Sequence, residues 1–263
     1  MQNYEAKEIR YITPFDDEYP DKLRSIHNLP SGLYIKGKLP DPSKPSVAII
    51  GARDCTAYGA SMAKYFAESL AEAGVQIISG MARGIDGIAQ KAAIESGHET
   101  FGVLGNGVDV IYPKQNKEIF EAISLQGGLI SEYPPGTAPL AINFPQRNRI
   151  ISALGDLILV VESRIKSGTS ITVKRAIEQG KDVYAVPGRL TDPLSAGCLR
   201  LIEDGAGIAM SPSTVLEGLG IFSSSPKSSG LPSSENLSLS KKERLVYKIL
   251  DFYPRNLDEI SNM

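Results

Sequence analysis

Histidine, cysteine and long apolar runs are all scarce in this chain, and each shortage closes off a class of function. His27 in SIHNLP and His98 in SGHET are its two histidines, and neither sits beside a serine–acid or Cys/His constellation. Histidine-based acid–base catalysis and a histidine-rich metal site therefore have no support, and any chemistry would fall to carboxylates or arginines. The two cysteines, Cys55 and Cys198, are too few for a disulfide scaffold and lack metal-type spacing, which predicts a reducing, cytoplasmic setting. No window is apolar for long enough to span a bilayer, and MQNYEAKEIRYITPFDDEYP has no apolar stretch after a basic start, so neither a membrane anchor nor a signal peptide is expected. A basic excess is missing as well. With 28 basic and 30 acidic residues the net charge is −2, so any hold on a polyanion must come from a local cluster.

Two nucleotide-binding signatures are also absent. A dinucleotide fold would carry G-x-G-x-x-G after its first strand and an acid at the end of the second. Here those places hold Gly51-Ala52-Arg53 and Ser79-Gly80. A G-x-x-x-x-G-K-[ST] loop occurs nowhere, which removes hydrolysis of ATP through a P-loop, and no cofactor or metal is expected.

What is present is a regular alternation. VAIIG (47–51), VQIISG (75–80), TFGVLG (100–105), GGLISE (127–132), LILVVE (157–162) and DVYAVPG (182–188) are short β-rich apolar runs. Helical periodicity falls between them, over 58–73, 84–96, 115–125 and 169–179. Buried strands alternating with helices predict an α/β fold with a doubly wound, mainly parallel sheet. Residues 1–46 read as an N-terminal extension with one short helix and one strand, and 47–220 as the core. Residues 221–239 form a Ser/Pro/Gly linker, and 240–263 begin a helix–turn–helix pattern whose third helix and wing are missing.

In such a sheet, ligands gather outside the carboxyl ends of the strands. Those ends are rich in glycine paired with Ser, Thr or Arg, a composition suited to anions as well as to plain turns. After the first strand, Arg53, Thr56 and Tyr58 offer a guanidinium fork, a hydroxyl and an aromatic face, which suit a phosphodiester and a base. An internal pairing of Arg53 with Asp54 or Asp86 is the plainer alternative. Arg83 and Gly84 open the next helix, where Asp86 reads first as a helix-start residue favoured by the dipole. Ser167, Gly168 and Thr169 stand at a later helix start, able to cap it or to bind phosphate. The densest stretch is NFPQRNRIIS (143–152), in which Phe144 is a stacking platform and Arg147, Asn148 and Arg149 follow at once. At two-residue helical spacing the two arginines point different ways, so one is expected at a phosphate rim and the other inward, on Glu132 or Glu162.

The ordered set GARDCTAYG, SGMARGID, GNGVDVIYP, ISEYPPGT, NFPQRNRIIS, VVESRIKSGTSIT and AVPGRL closely resembles the DprA/Smf family of DNA-processing proteins, from about Tyr19 to Ala209. The resemblance implies a Rossmann-like core, a C-terminal segment that starts a winged-helix domain, and binding of single-stranded DNA without catalysis. It also implies homodimers and the loading of RecA recombinase during natural transformation. Carried over by motif, the DNA-binding residues are Gly51, Arg53, Thr56, Tyr58, Arg83, Gly84, Phe144, Arg147, Asn148, Arg149, Ser167, Gly168 and Thr169. Thr169–Val186, with Leu199 and Ile202, is the expected dimer or recombinase face. Two departures stand out: Gln90 occupies a place where the family usually carries histidine, and TAPLAIN, before Phe144, has no basic residue. The competing reading is a nucleotide-binding enzyme of the phosphoribohydrolase type, whose P-G-G-x-G-T loop is only grazed by PPGT (134–137) and SGT (167–169). A purely structural module would leave the glycine-rich edge without a ligand.

Overall fold

The structure, a computed structural model, describes residues 9–222. The chain opens with β1 (Ile9–Ile12), the single turn α1 (Asp21–Arg24) and β2 (Leu33–Gly37). The alternating series then runs β3 (Ser46–Ile50), α2 (Ala57–Glu72), β4 (Gln76–Ser79), α3 (Ile85–Glu95) and β5 (Thr100–Leu104). A 3₁₀ turn at Lys114–Asn116 leads into α4 (Lys117–Gln126), followed by β6 (Gly128–Ser131), α5 (Asn143–Leu154) and β7 (Leu157–Val160). The series ends with α6 (Gly168–Glu178), β8 (Asp182–Ala185), α7 (Ala196–Glu203), β9 (Gly207–Ile208) and α8 (Pro212–Gly218).

All nine strands form one sheet in the order β1-β2-β6-β5-β4-β3-β7-β8-β9. From β6 through β9 every neighbouring pair is parallel, while β2 runs antiparallel to both β6 and β1. The expected doubly wound, Rossmann-like α/β sheet is what the chain adopts. Residues 9–46 are not a separate extension, because β1 and β2 extend the same sheet through Ile35↔Ile130 and its neighbours. The read of one strand there missed β1, a four-residue run that alternates only at its ends. Most of the linker and the winged-helix segment read at 221–263 lie outside the described residues.

The parallel strands are buried on both faces, as helices on both sides require. Along β3, Val47 and Ile49 join a core built with Phe66 and Leu70 of α2 and Ile85 and Ala89 of α3. Their neighbours Ala48 and Ile50 point the other way, into a core with Ile150 and Leu154 of α5 and Val173 of α6. Phe66 and Leu70 are fully buried, each worth roughly 1.5–3 kcal/mol over an exposed position. Helix α2 starts where Thr56 caps it, its hydroxyl accepting the Gly59 N–H at 3.1 Å.

The order of strands creates the crevice. The chain steps outward from β3 through β4, β5 and β6, then returns to β7 on the other side of β3. Loops after β3 and β7 therefore diverge, and the space between them is the switch point at which open α/β sheets bind ligands.

At the opposite edge of the sheet Asp156 ties three elements together. Its carboxylate accepts the Ser46 N–H at 2.9 Å and the Lys22 ammonium at 2.8 Å. Burial raises its pKa, but the Lys22 and Ser46 hydrogen bonds outweigh this and hold it below the usual carboxylate range. A depressed folded-state pKa gives stability that is present above the ordinary value near 4 and lost as pH falls through the folded one. Asp156→Asn should lower the melting temperature at neutral pH and flatten its decline between about pH 5 and 2. Parallel parent and variant curves in thermal melts across that range would refute the linkage.

Candidate nucleic-acid interface

The β3 loop is shaped by a contact with the start of α3. Gly84 has φ +77, and a Cβ on it would meet the Ala52 carbonyl oxygen at 2.2 Å and that of Arg53 at 2.5 Å. Only glycine lets the two loops press together in this way. The contact leaves Arg53 exposed at the mouth of the crevice. Its expected internal partner is taken: Asp54 pairs with Arg83 at 2.5 Å. Among the described residues Arg53 has no acid, and its guanidinium lies 5.8 Å from the centre of the Phe144 ring.

Helix α5 supplies the floor. Arg147, on the turn after Phe144, is almost wholly buried at 4% exposure. Its Nη1 donates to the carbonyl oxygens of Gly80, at 2.7 Å, and Val103, at the ends of β4 and β5. The guanidinium also sits 5.8 Å from the centre of the Phe144 ring, so two cations lie at this distance from that ring. Burial pulls the Arg147 pKa down to about 10, against the opposing pull of Asp86, which keeps it cationic at neutral pH. Nη2 has no hydrogen-bond acceptor among the described residues. Phe144 can lie this low because residue 105 is glycine, where a Cβ would meet its ring at 2.8 Å. Tyr112 stacks on Phe144 with centroids 5.5 Å apart and planes 29° apart.

The third wall comes from β7 and α6. Ser163 and Ser167 join hydroxyls at 2.9 Å, and Asn148 reaches the Gly168 carbonyl at 3.4 Å. Thr169 is buried in the first turn of α6, whose start is closed by a Ser167–Ser170 capping box and whose dipole makes it an anion-favouring end. Gly168 is not demanded by the fold, since a Cβ there would meet nothing within 4 Å. Together these groups line a cleft of about 550 Å³ that runs from Arg53 across Phe144 and Arg147 to Gly168.

A family profile described as DNA recombination-mediator protein A matches residues 10–220. The chain belongs to the DNA recombination-mediator protein A family. DNA processing protein DprA of Streptococcus pneumoniae (strain ATCC BAA-255 / R6) is 43% identical over 214 residues, covering 80% of this chain and 76% of the relative. Protein Smf of Escherichia coli (strain K12) is 41% identical over 211 residues, 80% of this chain, and the match spans 56% of the relative's length. Among solved structures, DprA from Streptococcus pneumoniae superposes with a TM-score of 0.77 at 40% identity, covering 81% of this chain and 76% of that one. DNA processing protein A from Helicobacter pylori, described for its single-stranded DNA binding mode, gives 0.71 at 30% identity, covering 80% and 95%.

Within this DNA-processing fold the residues picked out by motif separate into two groups. Gly51, Arg53, Phe144, Arg147, Asn148, Ser167, Gly168 and Thr169 come together around the cleft. Arg83 and Gly84 stand beside it, the former on the adjoining recess that also contains Tyr112 and Lys114. Thr56, Tyr58 and Arg149 do not line it. Thr56 caps α2 and gives its N–H to Glu162 at 2.9 Å, and the Tyr58 hydroxyl donates to the Pro187 carbonyl at 2.7 Å. Arg149 forms a two-pronged pair with Glu132, at 2.8 and 2.6 Å, and gives Nε to the Asn28 carbonyl at 2.7 Å. The expectation of one outward and one inward arginine is therefore corrected: both are buried, Arg149 as a structural pair and Arg147 beneath the cleft. Glu162 is not an arginine's partner but Thr56's. Asp86 is not a cap either; it is buried and accepts the Gly80 N–H at 3.1 Å. Burial raises the Asp86 pKa, with Arg147 and backbone N–H groups pulling the other way.

Two contributors, Tyr112 and Asn116, escaped the motif reading, and Gln90 was noted there only as a departure from the family pattern. Tyr112 was visible as an aromatic beside proline but not as Phe144's partner. Asn116 donates to the carbonyls of Met81 and Ala82, at 2.9 and 3.1 Å, and Gln90 accepts the Met81 N–H at 3.2 Å. These amides hold Met81 at φ +56 and so place the Gly80 carbonyl that Arg147 needs. Gln90, which departs from the family's histidine, spans from Met81 to the Phe101 carbonyl at 3.1 Å.

Removing one partner of the Arg149–Glu132 pair leaves a buried charge uncompensated. Arg149→Met should cost about 3–5 kcal/mol in urea unfolding, and adding Glu132→Leu should restore part of it. Equal losses in the single and double variants would show that the pair is not what Arg149 provides.

Proposed function

We propose that the cleft holds single-stranded DNA and that the protein mediates, without catalysis, the loading of RecA recombinase onto incoming strands during natural transformation. It would act as a homodimer in the cytoplasm. The observation that carries the reading is the Phe144 ring with Arg53 and Arg147 each 5.8 Å from its centre, at the switch point of the sheet. A π-face beside two cations suits a base and its phosphates, whatever the base. Among the described residues Arg53 has no acid to satisfy, so its charge is available to a strand. The single-stranded DNA binding described for the Helicobacter pylori relative agrees with this use of the fold.

An enzyme acting on nucleoside monophosphates would need a free carboxylate at a strand end. Glu132 is held by Arg149 and Glu162 by Thr56, which weighs against that alternative. No helix among the described residues is long and apolar enough to cross a membrane. For the homodimer, the exposed Leu190, Ile208 and Met210 near β8 and β9 offer apolar surface. Ile202, expected on that face, instead packs partly against the core.

Anisotropy of a labelled oligo-dT over a salt series tests the reading. The parent should bind with a log–log slope of roughly −0.7 per phosphate neutralised. Arg53→Ala should bind at least about fivefold more weakly, corresponding to about 1 kcal/mol of lost stacking and charge, with an unchanged melting temperature. Parent-like affinity in that variant would remove the pocket assignment. Gly168→Ala gives an independent check: the fold has room for the methyl, so stability should hold while strand affinity falls. Unchanged affinity would mean the strand does not approach the start of α6.

A further inference from the structure

A second recess, of about 250 Å³, lies against the last turn of α6, away from the cleft. Its lining includes Lys22, His27, Arg149, Arg175 and Lys181, with Glu178 as the acid among its lining residues. Three of these cations are already matched inside the protein. Lys22 pairs with Asp156 at 2.8 Å, Arg149 with Glu132 at 2.6 Å, and Arg175 with Glu178 at 2.9 Å. Lys181 is not. It is half-buried, and among the described residues its ammonium has neither a salt bridge nor a hydrogen bond. Burial lowers its pKa; the Asp156 carboxylate pulls the other way without forming a salt bridge to it, and the nearby Lys22 charge adds to the lowering.

The partial negative charge at the C-terminus of α6 explains why cations collect at this end of the helix. It does not explain an ammonium that lines a recess with no salt bridge or hydrogen bond, where partial burial costs free energy that the Asp156 charge offsets only in part. The recess also holds the Gln179 side chain, whose amide donates to the Arg149 carbonyl at 3.0 Å.

Helix α6 connects this recess to the cleft. Its first residues, Gly168 and Thr169, line the cleft, and Arg175, Glu178 and the capping Gln179 line the recess. Ten residues at 1.5 Å rise place the two about 15 Å apart along the helix. That is about four phosphate spacings at the 3.4 Å rise of one B-form strand, and fewer for an extended one.

We propose that the recess at Lys181 is a second phosphate subsite, which takes a backbone phosphate of the same strand whose bases occupy the cleft. This rests on the strand-binding reading above. The subsite would make affinity depend on length, because a strand confined to the cleft cannot reach it. It also supplies a basic contact in a chain whose loop before Phe144 has none.

The experiment compares the parent, Lys181→Gln and Arg53→Ala on oligo-dT of about three and about twelve nucleotides, across salt. Lys181→Gln should match the parent on the short strand. On the long strand it should lose about threefold to tenfold in affinity, and its log–log slope should be shallower by roughly 0.7, one phosphate contact. Equal binding of parent and Lys181→Gln to both lengths, with Arg53→Ala weakened, would overturn the subsite and leave the cleft standing. An equal loss on both lengths would overturn it too, since Lys181 would then act through the cleft or the fold. If the parent bound neither length, the strand-binding reading and the subsite would fall together. Thermal stabilisation of the parent but not Lys181→Gln by inorganic phosphate, without any length effect, would assign the recess to a free phosphorylated molecule and overturn the strand assignment.

Discussion

A guanidinium can be buried only if acceptors are waiting for it, and the site depends on how this is arranged for Arg147. The acceptors are the carbonyls of Gly80 and Val103, at the ends of two adjacent strands. Gly80 lies just past the end of β4, and Val103 is the next-to-last residue of β5, where the chain turns away into glycine-rich loops. One side chain from α5 thus closes the carboxyl edge of the sheet and carries a positive charge up beneath the cleft. Phe144, three residues earlier on the same helix, lies over that charge, and Tyr112 and Arg53 assemble around the ring. The loop after β4 has to hold its place for this to work, which is the role of the Gln90 and Asn116 amides on the strained Met81 backbone.

The remaining charges sort by whether an acid is within reach. Arg83 has Asp54, Arg149 has Glu132 and Lys22 has Asp156, so these cations are spent on the protein itself. Arg53 and Lys181 have no such partner among the described residues. Both stand where the surface is concave, Arg53 at the switch point and Lys181 at the far end of α6. A net charge of −2 does not preclude binding a polyanion, because local cations set the field at a concave site, and Arg164 and Lys114 also line the cleft and its adjoining recess. The apolar Leu140 and Ile142 fill the exposed loop ahead of Phe144, so the grip at that mouth rests on Arg53, Phe144 and the α6 start.

Much of the architecture could be read from the chain before any coordinates. Apolar runs of four to six residues between helical stretches specify buried parallel strands, since only a sheet covered on both faces can accept them. The glycine-rich strand ends and the NFPQRNRIIS block pointed to the edge of that sheet where the cleft lies and to many of its lining residues. What failed to show was β1, because four residues with one buried position at each end carry too little periodicity. The inclusion of β1 and β2 in the main sheet escaped for a related reason, as the pairing of β2 with β6 joins residues nearly a hundred positions apart.

The amino-acid sequence by itself determined the fold class, the family and the set of side chains brought to one edge. Those depend on local periodicity and on residue types at short spacing, which the chain displays directly. Only the tertiary structure decided which of those side chains are spent and which are free. The motif treats Arg53, Arg147 and Arg149 alike, yet one is exposed beside a ring, one is sunk between strand ends and one is locked to Glu132. The difference lies in which acids and carbonyls distant segments bring within about 3 Å, the range in which a charge finds its hydrogen-bond partner.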